Sequence, residues 1–376
     1  MAEKPKIAIV YLSYHCEPYF NRALLSWKNL TYPQDRFSVV VVDNPHPQHG
    51  SSVEFVKQQL EKEGIQPQTI VIPQTKNLGF AGGNNVGIDW VIKNNFDYVF
   101  LHNQDGFMSP DCLDKIAETM EADKTIGAAQ SLILLYPEKD LINTSGNKFH
   151  YLGFAYCGDY RKPVCHCERS ETKRSNPIVG EIAPRNDNCE ISYASGAAMM
   201  LRVDLLKQHG ALDCDYFAYH EDLEYCLRLR TLGYKIALSP QSVFYHEHEF
   251  SRNPDKYYFM ERNRFAVMTT YLKWRTLFLF LPIELVTELG LLLFALKNGW
   301  IKQWARVYLY WLSPKNWKLW LKKRAQIQKN RQITDKEFLR YAVDKVEFEG
   351  INGPLIKLGN VLLNAYWKAI KALIRW

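Results

Sequence analysis

The sequence predicts an α/β fold with a largely parallel sheet in its N-terminal part. Short runs of Val, Ile, Leu, Phe and Tyr recur there, and segments with helical spacing of apolar residues lie between them. Runs that are apolar throughout are typical of strands buried on both faces, and strands that alternate with helices form parallel sheets. Polar residues directly follow several of these strands. They are therefore expected at the carboxyl edge of the sheet, where open α/β sheets bind ligands.

The elements before residue 102 alternate regularly. In chain order they are a strand at 6–12, a helix at 20–30, a strand at 37–42, a helix at 53–63, a strand at 68–72, a helix at 84–95 and a strand at 98–101. Turn residues that begin with Ser13 follow the first strand, and Asp43-Asn44 follow the second.

Residues 77–88, NLGFAGGNNVGI, contain four glycines between the third strand and the next helix. Glycine lets a backbone approach a ligand closely or adopt positive φ. The spacing is neither a GxGxxG fingerprint nor a Walker loop. Two interpretations remain: a flexible loop with a helix cap at Asn84 or Asn85, or a glycine loop that opens a helix and binds phosphate through free N–H groups.

The pentapeptide His102-Asn103-Gln104-Asp105-Gly106 follows the fourth strand. A carboxylate at this edge can hold a divalent cation, and the cation can neutralise a diphosphate. An Asp-Gly pair is also common in simple turns. These residues alone leave both interpretations open.

Residues 140–190 lack regular periodicity and are predicted to form a surface insertion with free thiols. Zinc binding is the alternative, although the paired CxxC spacing of common structural sites is missing. The candidate ligands are Cys157, Cys165, His166, Cys167 and Cys189.

Small residues at 195–198 precede a predicted strand at 199–201 and a short helix at 204–210. A second helix begins within 216–224 and ends before Gly233; strands at 234–238 and 243–245 then lead to His246-Glu247-His248. Glu221 and Asp222 lie in the first turn of that helix. They are either acids favoured by the helix dipole or a general base fixed near an acceptor hydroxyl.

The order of these motifs resembles the family 2 inverting glycosyltransferases over about residues 5–270. The motifs are Asp-Asn after the second strand, NLGFAGGNNVG, HNQDG, SGAAMM, FAYHEDLEYCLRLRTLGYKI and FYHEHEFS. The most similar branch looks like the rhamnosyltransferase-like and galactofuranosyltransferase-like bacterial enzymes. The resemblance implies a GT-A catalytic domain at 1–270, Rossmann-like, with a mixed, mostly parallel sheet flanked by helices. It also implies a nucleoside-diphosphate sugar donor and Mg²⁺ or Mn²⁺ as cofactor.

Carried over by position, the resemblance implies a role for each motif. Asp105 is the metal ligand in a DxD-type motif whose first acid is replaced by Asn103, and His246, or His248, completes the coordination. Asp222 is the catalytic base and Glu221 the second candidate. Arg262, with Asn263 beside it, corresponds to a pair that faces the diphosphate. The donor nucleotide is bound by Ser13, Asp43, Asn77, Gly79, Asn84, Asn103 and Arg262.

The implied reaction moves one sugar, rhamnose from dTDP-rhamnose in the first instance, to a hydroxyl of a lipid-linked or polysaccharide acceptor in cell-surface glycan synthesis, such as that of O-antigen. The alternative is a galactofuranosyl- or hexosyltransferase that uses a UDP-sugar. A different class is a catalytically inactive nucleotide-sugar-binding membrane protein; Asn103 makes this conceivable, and retention of Glu221 and Asp222 argues against it. A nicotinamide-dependent dehydrogenase does not fit the glycine spacing.

The C-terminal part is basic, whereas the rest is acidic. Residues 1–250 carry 24 Lys+Arg against 31 Asp+Glu, and residues 251–376 carry 23 against 9. Residues 276–296 are nearly long enough to span a bilayer, but Glu284 and Glu288 fall inside them, where acids are costly. Tryptophans interleave with basic residues after this segment, as in helices that lie in a membrane interface; they are Trp300, Trp304, Trp311, Trp317 and Trp320.

Residues 271–376, the tail, are therefore predicted to be a helical, membrane-associating region, peripheral on the cytoplasmic face of the inner membrane and attracted to its anionic surface. A membrane span and a helical surface for homo-oligomer formation are the alternatives. Nucleic acid is not an expected partner, because no recognised binding motif accompanies the basic residues. The polar N-terminus predicts no signal peptide, and eight cysteines without one predict reduced thiols in the cytosol.

Overall fold

The computed structural model describes residues 3–64, 69–164, 189–247, 254–347 and 353–376. Its strands are β1 Ile7–Ser13, β2 Phe37–Asp43, β3 Thr69–Pro73, β4 Tyr98–Asn103, β5 Gly106–Met108, β6 Ile126–Leu135, β7 Ile142–Thr144, β8 Lys148–His150, β9 Ala155–Tyr156, β10 Cys189–Glu190, β11 Ala198–Arg202, β12 Lys235–His246 and β13 Ala342–Val343. Its α-helices are α1 Phe20–Lys28, α2 Val53–Glu63, α3 Gly79–Lys93, α4 Cys112–Ala122, α5 Val203–His209, α6 Glu221–Thr231, α7 Pro254–Tyr271, α8 Trp274–Lys297, α9 Ile301–Leu312, α10 Pro314–Asn330, α11 Asp335–Phe338 and α12 Pro354–Ile370.

Ten strands form one mixed sheet in the order β10-β12-β6-β11-β4-β1-β2-β3, with β5 paired to β12 and β7 to β6. The neighbours β3, β2, β1 and β4 are parallel, and so are β6 and β12. Strand β11 is antiparallel to both β4 and β6. The prediction of a mixed, mostly parallel sheet flanked by helices is confirmed.

The alternation of side chains along β1 builds the core on both faces of the sheet. Ile7, Ile9 and Tyr11 pack with the apolar faces of α1 and α4. Val10 and Leu12 point the other way, into the cluster that includes residues of α3, α5 and α6. Because both faces are covered, every residue of β1 and of β2 is buried, as their continuous apolar sequences predict.

The glycine-rich segment is helical, not a flexible loop. Helix α3 begins at Gly79, so the prediction of a cap at Asn84 or Asn85 is wrong. Asn84 lies one turn inside the helix and donates from Nδ2 to the carbonyl of Phe80 at 2.9 Å. A Cβ on Gly87 would lie 2.5 Å from Cγ1 of Val10. Glycine is thus needed for close packing of α3 on the sheet, which offsets its poor helix propensity.

The insertion predicted at 140–190 begins with short strands, and β8 and β9 form a small second sheet with β13 from the tail. The proposed zinc ligands Cys165, His166 and Cys167 lie outside the described residues. Cys157 is partly buried. The part of the chain that the structure describes contains no group of three or more His, Cys, Asp or Glu side chains placed to hold a metal ion.

The tail forms helices that pack beside the sheet domain. Helix α8 is long and apolar enough to cross a membrane by length and composition. Its two acids face inwards: Oε1 of Glu284 accepts from Arg264 on α7 at 2.6 Å, and Glu288 accepts from the same guanidinium. The prediction against a membrane span depended on the cost of placing unpaired acids in a bilayer. Pairing with Arg264 lowers that cost for Glu284 and Glu288.

The tryptophans of the tail do not all face outwards. Trp311 and Trp320 are buried in the protein core, at 8% and 0% exposure, whereas Trp317 is 37% exposed. The interpretation of the whole series as interfacial anchors is therefore wrong for these two. Their spacing along the helices serves packing against the sheet domain, which a sequence pattern does not separate from membrane contact.

Candidate functional site

The carboxyl ends of β1 and β2 meet at one edge of the sheet, as parallel strands require. Ser13 and Asp43 face each other in register, and Oγ of Ser13 donates to Oδ1 of Asp43 at 3.1 Å. The Asp43 carboxylate also accepts from Oγ of Ser51 at 2.6 Å and from the backbone N–H of Ser52 at 3.1 Å. It is 1% exposed. In this geometry Asp43 holds the loop after β2 in place; its predicted contact with the donor nucleotide stays a prediction.

Asn44 connects the end of β2 to the start of α3. Its Nδ2 donates to Oδ1 of Asn77 at 2.9 Å, and its Oδ1 accepts from the N–H of Leu78 at 2.7 Å. Oδ1 of Asn77 also accepts from the N–H of Gly79 at 2.8 Å. Gly79 has φ +73°, and a Cβ there would lie 2.4 Å from the carbonyl oxygen of Phe217. Asn77 and Gly79 thus place the N-terminal end of α3 at the carboxyl edge.

Asp105 and His246 form the centre of the second part of the site. Oδ1 of Asp105 and Nε2 of His246 lie 2.8 Å apart, and Nδ2 of Asn103 donates to the same carboxylate oxygen at 2.6 Å. Nδ1 of His246 lies 3.3 Å from Oδ1 of Asn143. The predicted metal ligands Asp105 and His246 are therefore adjacent. The alternative ligand, His248, lies outside the described residues.

The donor atoms of this pair fit a divalent cation. Two ligand atoms bound side by side to an octahedral ion such as Mg²⁺ or Mn²⁺ lie about 3 Å apart, close to the separation seen here. If Nδ1 of His246 donates to Asn143, its Nε2 presents a lone pair towards Asp105, which is the form that binds metal. Carboxylate and imidazole are also the donor set that such an ion accepts. On these residues, Asp105 and His246 would hold the ion.

Gln104, which the sequence analysis did not single out, joins the two parts of the edge. Its carbonyl accepts from the hydroxyl of Tyr11 at 3.0 Å, and its Oε1 accepts from the N–H of Tyr14 at 2.5 Å. The ring of Tyr14 lies 4.6 Å from that of His46, in the loop after Asp43. Continuous contacts therefore run along the edge from β2 to Asp105.

Three histidines that the sequence analysis also missed stand beside this edge. The rings of His15 and His49 stack at 3.9 Å, and His46 lies 4.6 Å from His49. Desolvation, together with the neighbouring His49 and His15, lowers the pKa of His46. Nδ1 of His15 lies 2.9 Å from Glu17. The run His-Pro-Gln-His after Asp43 is a sequence signal that could have pointed to His46 and His49.

The acids predicted as general base occupy the first two positions of α6. Oδ2 of Asp222 accepts from the N–H of Gly196 at 3.0 Å, and its Oδ1 accepts from the N–H of Leu223 at 2.7 Å. Burial raises the pKa of Asp222, although these hydrogen bonds oppose the change. Glu221 is 5% exposed and its buried Oε2 has no hydrogen-bond partner among the described residues. Burial, and next the Asp222 charge, raise the pKa of Glu221 well above its usual range.

Residues 217–220, the base turn, lead into these acids with a strained backbone. Phe217, Tyr219 and His220 all have φ between 64° and 69°, the left-handed region that non-glycine residues rarely adopt. Strain of this kind persists only where the surroundings hold it, and it clusters at functional sites. Asn263 on α7 holds it here, because its Nδ2 donates to the carbonyls of Tyr216, Ala218 and Tyr219 at 2.6–3.0 Å.

Helix α10 of the tail contacts the segment that precedes the base turn. The ring of Trp320 packs edge-on against that of Tyr216, with centroids 5.2 Å apart. Nζ of Lys323 donates to the carboxylate of Asp213 at 2.5 Å and pairs with Asp215 at 2.6 Å. The position of the base turn therefore depends on the tail.

Arg262 contacts the backbone of the segment that precedes the base turn. Its guanidinium donates to the carbonyls of Asp215 and Tyr216 at 3.0 and 2.7 Å, and the residue is 8% exposed. The structure thus gives Arg262 a supporting role for this segment. Its predicted contact with a diphosphate stays a prediction, as does the nucleotide contact of Asn84, whose amide caps a carbonyl inside α3.

Backbone contacts bring the acids of α6 and the Asp105 motif to the same edge. The N–H of Gly196 binds Asp222, and the carbonyl of the next residue, Ala197, accepts from the N–H of Asn103 at 3.0 Å. Asn103 in turn binds Asp105. The small residues at 195–198 are what permits this close approach, since a Cβ on Gly196 would meet the ring of Phe80 at 3.0 Å.

The sequence model of one family, described as glycosyl transferase family 2, matches residues 8–210. No curated protein matches the chain at a significant level.

Three similar solved structures can be named. The mannosyltransferase PcManGT from Pyrobaculum calidifontis, in complex with GDP-Man and Mn²⁺, is 13% identical with a TM-score of 0.48, over 99% of this chain and 85% of that one. GalNAc-T7 with UDP, GalNAc and Mn²⁺ is 11% identical with a TM-score of 0.52, over 72% of this chain and 48% of that one. TarS 1–349 of S. aureus is 13% identical with a TM-score of 0.47, over 98% and 91%. The GalNAc-T7 likeness is one of fold alone; with the family match, the predicted GT-A fold is confirmed.

Proposed function

The chain belongs to glycosyl transferase family 2, whose model matches more than half of its length, and from this premise we propose that it transfers one sugar from a nucleoside-diphosphate donor to a hydroxyl acceptor with inversion at the anomeric carbon. That it is a glycosyltransferase is given by the family. One observation carries the finer proposal. The Asp222 carboxylate lies at the start of α6, directly after the strained base turn. Hydrogen bonds through Gly196 and Ala197 connect it to the Asn103–Asp105 motif at the carboxyl edge.

Asp222 is the proposed general base. As the acceptor oxygen bonds to the anomeric carbon, its proton passes to the Asp222 carboxylate, and the bond from that carbon to the diphosphate oxygen breaks. A single displacement of this kind inverts the configuration and needs no covalent intermediate. Burial strengthens the basicity of Asp222 by raising its pKa, and a pKa closer to the working pH makes a better base. Glu221 is the second candidate, because it is also buried.

The donor is proposed to lie along the carboxyl edge between the loop after Asp43 and Asp105. The N-terminal end of α3, where Asn77 and Gly79 lie, brings the positive end of a helix dipole to this edge. Asn103 and Asp105 lie at the diphosphate side. A Mg²⁺ or Mn²⁺ ion held by Asp105 and His246 would supply positive charge to the leaving diphosphate. The mixed oxygen and nitrogen donor set favours Mn²⁺, since Mg²⁺ prefers oxygen ligands.

We further propose dTDP-rhamnose as the donor, on the motif resemblance to the rhamnosyltransferase-like branch; UDP-galactofuranose or another UDP-hexose is the alternative. Thermal melting with dTDP-, UDP- and GDP-sugars in the presence of Mn²⁺ tests this, because a ligand that binds the folded state raises its melting temperature. NMR of the product's anomeric proton tests inversion. A product that retains the donor configuration would contradict the single-displacement mechanism.

A catalytically inactive nucleotide-sugar-binding protein is the second candidate function. Asn103 in place of an acid favours it, because the motif then offers one carboxylate fewer. The burial that raises the pKa of Asp222 and of Glu221 argues against it, since such an environment costs stability and is characteristic of catalytic acids and bases. Binding of a donor without turnover in the presence of a broad acceptor mixture would favour the inactive protein.

The tail is proposed to attach the enzyme to the anionic cytoplasmic face of the membrane, where a lipid-linked acceptor of polysaccharide synthesis would be available; residues 1–270 are the proposed catalytic domain. Large apolar side chains of α8, α9 and α12 are exposed, although most apolar groups of this size are buried in a soluble domain. The most exposed are Phe278, Leu285, Leu309, Leu312 and Val361, at 63–75%. Association of these faces in a homo-oligomer is the alternative, and sedimentation without lipid distinguishes the two.

A further inference from the structure

A cleft in the tail, remote in the chain from the acids of α6, is lined by cations and aromatic rings. Its volume is about 500 Å³, and it lies where the start of α8 meets α10 and the last residue. The side chains that matter here are Lys273, Trp274, Arg275, Arg324, Gln328 and Trp376. No Asp or Glu side chain lines the part of the cleft that the structure describes.

One of the cations is fixed by the fold. Arg324 is 8% exposed, and its guanidinium donates to the carbonyls of Thr269 and Leu272, each at 2.5 Å. Its charge lies 4.1 Å from the centre of the Trp274 ring. Carbonyls do not neutralise a guanidinium, so the wall of the cleft keeps a positive charge.

The other two cations are Lys273 and Arg275. Among the described residues, neither the Lys273 ammonium nor the Arg275 guanidinium forms an ion pair with a carboxylate, although Arg275 lies 5.8 Å from the Trp376 ring. Asp335 is an acid beside the cleft, and it accepts from the backbone N–H of Lys273 at 2.9 Å. It is fully buried and paired with Arg331 at 2.5 Å, so it does not cancel the charge of the cleft.

We propose that this cleft binds the phosphate headgroup of an anionic membrane lipid. Lysine and arginine side chains both bind phosphodiesters. Tryptophan is enriched at the depth of the lipid headgroups in a bilayer, and two tryptophans flank this cleft. The volume admits a glycerophosphate group but not a folded partner.

The helix that begins at the cleft indicates that the phosphate comes from a bilayer. Trp274 is the first member of a stripe that continues on one face of α8 through Phe278, Leu281, Leu285 and Leu289, which are 45–71% exposed. Residues three or four apart share a helix face, so the stripe is continuous. When these side chains lie in the apolar layer, the cleft at the start of the stripe lies at the level of the lipid phosphates. The cleft is thus a headgroup site at the polar end of a membrane-contacting helix.

This inference rests on the proposed membrane attachment and not on the proposed glycosyl transfer. The full chain is sedimented with vesicles of phosphatidylcholine alone and with vesicles that also contain phosphatidylglycerol. The double variant Lys273→Ala/Arg275→Ala is compared with wild type and with Lys315→Ala/Lys318→Ala, which removes two exposed cations of α10 outside the cleft. All three proteins are first compared by thermal melting.

The diffuse potential of an anionic surface contributes roughly a fivefold change in affinity for each nearby basic residue, or about 30-fold for two. The cleft variant also loses direct contacts with a phosphate, so it should bind phosphatidylglycerol vesicles more than about 30-fold more weakly than wild type. The control pair should lose clearly less, because its charges act only through the diffuse surface potential. Equal losses in the two double variants would overturn the headgroup site, and so would binding of soluble glycerol phosphate without vesicle binding. Wild type that binds neither kind of vesicle would contradict the attachment itself, whereas donor turnover reports separately on the transferase.

Discussion

The Asp105 carboxylate and the His246 imidazole lie 2.8 Å apart although 141 residues separate them in the sequence. The backbone enforces this contact: β5 pairs with β12 so that Gly106 faces His246, and the N–H of Glu247 donates to the carbonyl of Asp105 at 2.7 Å. The pairing of β5 with β12 therefore determines how far the Asp105 and His246 side chains lie apart. A pair fixed in this way is ready to bind an ion without rearrangement of the fold.

Asp105→Asn should weaken Mn²⁺ binding by at least about 10- to 100-fold, because the substitution removes the carboxylate charge from the pair. Isothermal titration of the full chain with MnCl₂, with and without UDP, measures this. Asp140→Asn, on an exposed turn of the same domain, is the control and should leave the affinity unchanged. Equal Mn²⁺ affinity in wild type and Asp105→Asn would exclude this site.

Asp222→Asn should lower the rate of sugar transfer by about 10²- to 10⁴-fold, the usual contribution of a general base. Donor binding should persist, because the amide keeps the shape of the side chain. Asp204→Asn is a matched control: Asp204 is also the second residue of its helix and also accepts from the next N–H, at 2.8 Å, but it is exposed. Transfer at the wild-type rate by Asp222→Asn would assign the base elsewhere.

Glu221 should make the protein less stable as the pH rises. Its pKa in the folded state is raised, so the folded protein holds the proton at pH values where the unfolded chain, with a pKa of about 4.3, has lost it. The free energy of unfolding is therefore greatest below that value and falls until the pH reaches the folded-state pKa. Glu221→Gln should remove this fall and be more stable than wild type at about pH 8, because glutamine takes up no proton on folding. The gain is about 1.4 kcal/mol for each unit by which folding raises the pKa of Glu221 within this pH range.

Urea unfolding at several pH values measures this difference. Glu54→Gln, an exposed acid in the first turn of α2, is the control and should show little change. A Glu221→Gln protein with the same pH profile as wild type would contradict the assigned cause.

Gly87→Ala should destabilise the protein by about 1–3 kcal/mol, since the added methyl overpacks the contact between α3 and Val10. Gly290→Ala is the matched control, because Gly290 also lies inside a helix but has open space around it. That variant should be stabilised by up to about 1 kcal/mol through helix propensity alone. Urea unfolding of both proteins measures the contrast, and similar effects in the two would show that packing on the sheet does not explain Gly87.

Leu285→Gln should reduce binding to anionic vesicles by about 10- to 100-fold, because a leucine side chain that enters the apolar layer contributes about 1.5–3 kcal/mol. Leu285 is 63% exposed on α8. Leu25→Gln, at a leucine of α1 that is 47% exposed outside the tail, should not change binding. Loss of self-association in the absence of lipid, with vesicle binding intact, would instead favour the oligomer.

The sequence predicted the elements of the sheet domain well wherever a strand is apolar throughout. β1 and β2 are examples, because burial on both faces leaves a continuous apolar run. The small residues at 195–198 gave no sign that they would connect Asn103 to Asp222, since that contact depends on β11 lying antiparallel beside β4. Local pattern does not specify the order of strands.

The glycines of α3 illustrate the opposite limit. Propensity predicts a loop for AGG, yet the segment is helical because the glycines remove side chains that would collide with β1. Arg264 is similar. Glu284 and Glu288 look like a defect in the apolar sequence of α8, but the Arg264 side chain on α7 pairs with both, which only tertiary structure shows.

Trp320 and Lys323 have a practical consequence for anyone who seeks an active, lipid-free fragment. Both belong to the tail, yet Trp320 packs against Tyr216 and Lys323 pairs with Asp213, and these two residues precede the base turn. Cutting the polypeptide after residue 270 would remove the helices proposed to contact a bilayer. It would also remove the contacts that hold the segment before the base turn. Solubility is better sought by substituting outward-facing leucines than by shortening the protein.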